Sequence, residues 1–257
     1  MILSLLPSAA HGGIGGGFQY LTTLIVNRRV AVDAGALGVY GTPKEQAEIR
    51  HVFLTHTHLD HVATLPIFVE NIFLSDPSPV CIHGSTPVFD CLQKDIFNNR
   101  IWPDFIALSQ KPESPFLRMV PHEPGQTAEV EGLKITAISL NHVVPTVGYI
   151  IDDGKSAVGY VSDTAATDEI WDRLNQCPNL KAVLIEVTFP NDHQWLADIS
   201  KHLTPANFKD EVAKLKKPVP ILALHVKARF NKQVVKEVLA LQLPQVEFME
   251  FNKVYEF

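Results

Sequence analysis

The sequence predicts an α/β protein in which strands and helices alternate along the chain. Segments rich in Val, Ile, Thr and Phe recur throughout the 257 residues, a composition typical of β-strands. Segments with apolar residues at helical spacing lie between several of them, which indicates helices interleaved with sheet. No internal repeat of about 20 to 50 residues is present, so the pattern excludes a solenoid or a propeller.

The predicted strands are short apolar or alternating runs bounded by turn-forming residues. They cover residues 2–6, 19–27, 29–33, 52–55, 80–83, 133–140, 147–152, 156–162, 182–187, 220–225 and 245–249. Predicted helices cover residues 43–48, 62–74, 87–98, 168–176 and 232–241. A further helix is predicted to begin after Thr204, a capping residue followed by Pro205 at the first helical position.

The segment 98–125 differs from the rest of the chain because it is rich in proline and in aromatic residues. Such a composition is typical of a lid or rim over a site, or of a long surface crossing. No low-complexity linker divides the chain. We therefore expect one domain over residues 1–257 that carries this rim or lid.

Charge and composition limit the function classes. Apolar residues make up 46% of the chain and charged residues 19%, which is ordinary for a globular protein. The formal net charge of -6 argues against a surface that binds a long nucleic acid. A small anionic substrate remains compatible with this charge, because bound metal ions can make a pocket locally positive.

Cysteine usage and hydropathy indicate a cytoplasmic protein. The three cysteines are widely spaced and form no CxxC pair, which excludes a disulfide framework and a cysteine zinc ribbon. The apolar runs are far shorter than the roughly 20 residues of a membrane helix, so no membrane association is expected. Residues 1–10 are interpreted as a strand rather than a signal peptide, because no basic residue lies near the start and Pro7 interrupts the run.

A cluster of metal-binding residue types, His56-Thr57-His58-Leu59-Asp60-His61, follows the predicted strand 52–55. His56 and His58 are two residues apart and can chelate one ion from one side of an extended segment. Asp60 and His61 then turn toward a second ion. The alternative is a solvated polar turn, but burial of three imidazoles and a carboxylate without a partner is costly.

Two ions need more ligands than one turn supplies. His142, Asp163 and His225 each follow a predicted strand. Considered singly, each has an ordinary explanation, such as a hydrogen-bonded histidine or a helix-capping aspartate. Their shared position at strand ends, where ligand sites of layered α/β proteins lie, favours a common metal site.

The sequence resembles the metallo-β-lactamase superfamily over essentially its whole length. The resemblance depends on the glycine loop 12–17, Val32-Asp33-Ala34-Gly35, the 56–61 cluster, His142, Ser162-Asp163-Thr164 and His225. Within the superfamily, segments 99–105, 185–190 and 201–205 look like the class II 3′,5′-cyclic nucleotide phosphodiesterases. The resemblance implies a four-layer αββα sandwich of two mixed β-sheets flanked by helices.

The resemblance also implies a ligand set for two divalent ions. His56, His58 and His142 would hold one ion, and Asp60, His61 and His225 the other, with Asp163 bridging. Zn²⁺ is the metal that we expect, and the same donors also suit Mn²⁺ or Fe²⁺. Asp33 is interpreted as a turn residue or a support for a ligand, and the glycine loop as a flexible turn close to the metals.

The implied reaction is hydrolysis of cyclic AMP or cyclic GMP to the 5′-monophosphate. A hydroxide that bridges the two ions would attack phosphorus, with Asp60 in the catalytic set. The ribose 3′ oxygen leaves poorly without a proton, and His202, oriented by Glu186, is the expected donor, as motifs of related ribonuclease Z enzymes suggest. Alternatively, Glu186 faces solvent and His202 merely precedes the Thr204 cap.

Trp102 and Phe105 are candidates for a face that stacks on the purine of a small-molecule substrate. Simple packing of a proline-rich crossing is the alternative, and the same segment could instead form a homodimer contact. Two other functions compete with cyclic nucleotide hydrolysis. One is tRNA 3′-end cleavage of the ribonuclease Z kind, although the chain has no basic, glycine-rich arm. The other is hydrolysis of carboxylic esters or thioesters.

Overall fold

The computed structural model describes residues 1–8, 18–73, 78–111 and 115–257, and the chain divides into two compact units. The amino-terminal unit comprises residues 2–6 and 21–123. The carboxy-terminal unit comprises residue 1 and residues 7–20 and 124–257. The single domain 1–257 stays a prediction.

The amino-terminal unit is built on a mixed sheet. Its strands are β1 (Ile2–Leu5), β2 (Leu24–Val26), β3 (Val30–Val32), β4 (His51–Phe53), β5 (Val80–Gly84) and β6 (Leu117–Pro121). They are hydrogen-bonded in this order. The first three strands pair antiparallel and the pairs from β3 to β6 are parallel. Parallel strands place their carboxyl ends at one edge, so the turn after β4 emerges at that edge.

Short helices pack on one face of this sheet. They are α1 (Pro43–Gln46), α2 (Leu59–Val62), α3 (Leu65–Ile72), α4 (Thr86–Cys91) and α5 (Phe105–Leu108). Phe68 of α3 and Val88 of α4 join Val52 and Ile82 of the sheet in one buried core. The predicted helix 62–74 is interrupted, and α3 restarts with Pro66 in its first turn. A proline ring inside a continuous helix would clash with the carbonyl one turn earlier, which explains the break.

The carboxy-terminal unit contains a second mixed sheet. Its strands are β7 (Thr127–Val130), β8 (Leu133–Leu140), β9 (Thr146–Asp152), β10 (Ala157–Val161), β11 (Leu180–Glu186), β12 (Ile221–Leu224) and β13 (Val246–Phe248), hydrogen-bonded in this order. The pairs from β7 to β10 are antiparallel, and those from β10 to β13 are parallel. A short strand, β14 (Tyr255–Glu256), lies near the end of the chain. Candidate site residues lie at the ends of β8, β10, β11 and β12.

Helices of this unit are α6 (Glu169–Gln176), α7 (Gln194–Ser200), α8 (Pro205–Val212) and α9 (Asn231–Ala240). Trp171 of α6 and Phe208 of α8 pack with Val183 and Ile185 of β11 in a buried core. The predicted cap is confirmed, since the Thr204 side chain accepts a hydrogen bond from the first turn of α8. Among the described residues, no helix has the length and apolar character needed to cross a membrane.

The segment 98–125 contains regular structure that the sequence pattern did not predict. Helix α5 and strand β6 lie within it, and residues 112–114 lie outside the described part. Pro121 ends β6, which among the described strands pairs with β5 alone, and proline is tolerated at such an edge. The proline content of the segment therefore prevented the sequence pattern from predicting β6. The three cysteines, all within the described residues, form no disulfide, in agreement with the sequence.

Candidate metal centre

The histidine cluster of the amino-terminal unit lies in the turn between β4 and α2. His56 and His61 are fully buried and His58 is half-buried. Ligand atoms of His56 and His58 lie within 4.8 Å of each other, and so do those of Asp60 and His61. The turn thus places imidazole and carboxylate donors at chelating distances, as the spacing predicts.

Asp33 orients two of these histidines. It follows β3 with a left-handed backbone (φ +61°) and is fully buried. Its Oδ2 lies 2.7 Å from Nδ1 of His61, and the Thr55 hydroxyl contacts both Asp33 oxygens and Nδ1 of His56, each at 2.9 Å. Burial raises the pKa of Asp33, and the hydrogen bonds from His61 and Thr55 oppose part of that shift. Asp33 therefore contacts one candidate ligand directly and a second through Thr55, and its role as a support for metal ligands stays a prediction.

Backbone hydrogen bonds hold the cluster against the chain around Gly35. The Thr22 amide donates to the Asp60 carbonyl at 2.7 Å, and the Ala34 amide donates to the His61 carbonyl at 2.7 Å. A Cβ atom at Gly35 would lie 2.0 Å from the Asp60 carbonyl oxygen. Only glycine fits this close approach.

The carboxy-terminal unit brings His142, Asp163 and His225 to strand ends. All three are buried. Ligand atoms of His142 and Asp163 lie within 4.8 Å of each other, and Nε2 of His225 lies 3.5 Å from Oδ1 of Asp163. Nδ1 of His142 lies 2.9 Å from the Lys201 carbonyl. Burial lowers the pKa of His142 to about 4, which favours the neutral imidazole that a metal requires.

Glu186 and His202, predicted as a pair, lie in direct contact. Nδ1 of His202 is 2.8 Å from Oε1 of Glu186, at the end of β11. Glu186 is 1% exposed and also accepts hydrogen bonds from the amides of Thr164 and Leu203 and from the Thr188 hydroxyl. The predicted alternative, a solvent-facing carboxylate, is therefore wrong.

His202 lies beside the other histidines of this unit's candidate site. Its ring centroid is 4.9 Å from that of His142 and 5.5 Å from that of His225. Burial disfavours the charged imidazole of His202, but the facing Glu186 carboxylate more than offsets it, and the pKa of His202 is raised. The pair can therefore hold a proton next to the metal-ligand candidates.

The structure places Trp102 and Phe105 against the hydrophobic core of the amino-terminal unit. Both side chains are half-buried, and the Phe105 ring packs edge-on against Phe116 with centroids 5.4 Å apart. This packing is the alternative that the composition left open, and contact with a substrate stays a prediction. The glycine loop 12–17 lies outside the described residues.

Two threonines that sequence reasoning did not single out connect the site residues. Thr55 links Asp33 to His56, and Thr188 links Glu186 to His225. Each lies within two residues of a predicted site residue, which is the sole sequence signal for it. Hydroxyl groups at such positions are common, so position alone did not distinguish them.

Comparison with known proteins identifies the family. A protein-family model described as a beta-lactamase superfamily domain matches residues 28–225. A probable 3′,5′-cyclic-nucleotide phosphodiesterase of Yersinia pestis is 28% identical over 223 residues, which cover 77% of this chain and 63% of that protein. The chloroplastic tRNase Z TRZ2 of Arabidopsis thaliana is 24% identical over 147 residues, 57% of this chain and 38% of that protein. The chain thus spans less than two thirds of these relatives.

Solved structures show the same fold. Unliganded yeast PDE1 superimposes with a TM-score of 0.75 at 18% identity, over 98% of both chains. The metallo-beta-lactamase fold protein YhfI from Bacillus subtilis superimposes with a TM-score of 0.71 at 15% identity, over 100% of this chain and 99% of that one. The sequence prediction of this fold is confirmed by the two mixed sheets with flanking helices, the matching family model and these structural neighbours. The chain therefore belongs to the beta-lactamase superfamily and has the metallo-β-lactamase fold.

Proposed function

We propose that this protein is a metal-dependent phosphodiesterase that hydrolyses 3′,5′-cyclic nucleotides, cyclic AMP or cyclic GMP, to 5′-monophosphates. The observation that carries the proposal is the Glu186–His202 pair, whose imidazole lies beside Asp163 and His225. A phosphodiester with a poor alkoxide leaving group needs such a proton donor. The relative named as a cyclic-nucleotide phosphodiesterase supports the same substrate class.

The donor set of each unit fits divalent metal ions. Metal-binding histidines almost always use one ring nitrogen for the metal and donate a hydrogen bond from the other. Four of the candidate histidines have Nδ1 within hydrogen-bonding distance of a protein group: His56, His61, His142 and His225. Nε2 is then the ligand atom.

The ligand assignment that the resemblance implies is part of the proposal. One ion would be held by His56, His58 and His142, the other by Asp60, His61 and His225, with Asp163 shared. Zn²⁺ is the metal we propose, since imidazole and carboxylate ligands suit it. When bound, such ions lower the pKa of water and offset the charge of the phosphoryl oxygens.

The chain's own residues would assist departure of the ribose oxygen. Because Nδ1 of His202 faces Glu186 at 2.8 Å, Nε2 is the nitrogen that would donate the proton to the 3′ oxygen. The Glu186 carboxylate fixes this ring orientation and stabilises the imidazolium. Phe189 packs edge-on against His202, with ring centroids 5.6 Å apart, and limits its rotation.

Replacing His202 by alanine tests the donor role. We expect turnover of cyclic AMP to fall by about 100- to 10,000-fold, the range typical of a general acid. Turnover of bis-p-nitrophenyl phosphate should fall far less, because nitrophenolate leaves without a proton. Steady-state kinetics on both substrates measure the difference. His193→Ala is the matched control, because His193 is partly exposed and pairs with Asp192 instead. Equal losses on both substrates would contradict the role.

A second candidate function is tRNA 3′-end cleavage, which the similarity to a tRNase Z favours. A substrate panel separates the candidates: cyclic AMP, cyclic GMP, a cyclic dinucleotide, bis-p-nitrophenyl phosphate, a thioester and a precursor tRNA. The panel is run with protein of measured metal content. We expect cyclic mononucleotides to give the highest kcat/KM. Preferred cleavage of precursor tRNA or of the thioester would overturn the proposal.

A further inference from the structure

Thr188 lies at the centre of a buried network in the carboxy-terminal unit. It is fully buried, and its hydroxyl oxygen lies 2.5 Å from Oε2 of Glu186 and 3.0 Å from Nδ1 of His225. The same oxygen is 3.1 Å from the His225 carbonyl and 3.4 Å from Nδ1 of His202. One hydroxyl thus touches the proposed metal ligand and the proposed proton-donor pair.

The backbone around Thr188 keeps this hydroxyl in place. Its amide donates to the Leu203 carbonyl at 3.0 Å, and its carbonyl accepts from the Lys227 amide at 3.4 Å. Leu203 adjoins His202 and Lys227 follows His225 by two residues, so Thr188 ties together the loops that carry both histidines. The His225 amide donates to the Gln19 side chain at 2.7 Å, and His225 has a left-handed backbone (φ +62°).

The donors and acceptors available to the Thr188 hydroxyl determine the direction of its hydrogen bonds with Glu186 and with Nδ1 of His225. A hydroxyl donates one proton and accepts through two lone pairs. A carboxylate only accepts, and the Glu186 oxygen is the nearest acceptor, at 2.5 Å, so the Thr188 proton points to Glu186. If that proton pointed to His225 instead, the Thr188 hydroxyl oxygen and Oε2 of Glu186 would lie 2.5 Å apart with no proton between them. With the hydroxyl proton committed to Glu186, the more distant His225 carbonyl at 3.1 Å receives none, and the 3.0 Å contact with Nδ1 of His225 is a hydrogen bond only when Nδ1 carries the proton and donates it to Thr188.

We infer that Thr188 is a positioning residue that fixes the Nδ1–H tautomer of His225 and so presents Nε2 to a metal ion. The inference rests on the proposed function for the presence of that metal. It gives Glu186 a second role, since the carboxylate orients His202 directly and His225 through Thr188. One buried carboxylate would thereby align both the proton donor and a metal ligand.

Two substitutions separate this role from a packing role. Thr188→Val keeps the shape but removes the hydroxyl, whereas Thr188→Ser keeps the hydroxyl and removes a methyl group. Titration of each protein with Zn²⁺ against a chelator of known affinity measures metal binding. We expect Thr188→Val to weaken one of the binding steps by about 10- to 100-fold, the usual effect of losing a group that orients a ligand. Thr188→Ser should bind as the wild type does.

The tautomer is measured independently by ¹⁵N NMR of the histidine side chains in metal-free protein, with circular dichroism to confirm folding. We expect Nδ1–H at His225 in the wild type and in Thr188→Ser, and a tautomer mixture in Thr188→Val. His193→Ala is the control that should leave both the metal affinity and the His225 tautomer unchanged, because His193 pairs with Asp192 outside this network.

The outcomes distinguish the two proposals. Wild-type metal affinity together with an unchanged His225 tautomer in Thr188→Val would overturn the inference and leave the proposed function standing. A wild-type protein that binds no metal would overturn the proposed function, and the His225 tautomer alone would then decide the inference. Weak metal binding by Thr188→Ser as well as Thr188→Val would show that packing, not the hydroxyl, matters, and would also overturn it.

Discussion

Asp163→Asn is expected to lower turnover of a cyclic nucleotide by at least about 1,000-fold and to reduce the bound metal below the wild-type content. The side chain follows β10, is 2% exposed and lies 3.5 Å from Nε2 of His225. Under the proposed function its carboxylate is shared by both ions. Asparagine keeps the shape of the side chain but removes the negative charge that offsets the charge of the metal ions. Metal affinity and turnover should therefore both fall.

Metal analysis by mass spectrometry and steady-state kinetics measure the two effects on the same preparation. Asp192→Asn is the matched control, because Asp192 is 62% exposed and pairs with His193. That variant should retain wild-type metal content and turnover. Thermal unfolding of both proteins separates loss of metal from loss of fold. An Asp163→Asn protein with unchanged metal content and turnover would contradict the shared-ligand role.

The parallel strands at the centre of each sheet could be predicted from sequence, because burial on both faces leaves a continuous apolar run. Strand β11 is such a case, with its residues Ala182 to Glu186 all buried. The sequence pattern did not predict helix α7, because this helix lacks the apolar pattern that identifies the central strands. Its large apolar residues Trp195 and Ile199 are exposed and its buried position is Ala197, so it shows no apolar stripe.

The candidate site was predictable to the extent that its donors share a position at strand ends, although each donor considered singly has an ordinary explanation. The 56–61 cluster is local in sequence, and the Glu186–His202 contact followed from resemblance to known motifs. The roles of Thr55 and Thr188 could not be predicted, because each depends on which side-chain oxygen lies within about 3 Å of which ring nitrogen. That geometry depends on backbone conformations such as the left-handed Asp33 and His225.

Gly35→Ala is expected to destabilise the amino-terminal unit by at least about 3 kcal/mol, because overpacking against backbone atoms cannot be relieved by a side-chain rotation. The added Cβ would lie 2.0 Å from the Asp60 carbonyl oxygen and 2.7 Å from the Thr22 amide nitrogen. Relief requires the Asp60 carbonyl to move away from Thr22, which breaks the 2.7 Å hydrogen bond between them. Asp60 and His61 then shift together, so metal binding should weaken as well.

Urea unfolding followed by circular dichroism measures the stability, and chelator competition measures the metal affinity. Gly132→Ala is the control: Gly132 has a left-handed backbone (φ +74°), but no atom of the described residues other than its chain neighbours lies within 4 Å of the added Cβ. Its cost should be the backbone strain alone, about 1 kcal/mol, with metal affinity unchanged. Because the two glycines differ in steric contact rather than in the atom added, a similar cost for both variants would contradict the role of the close approach between Gly35 and Asp60.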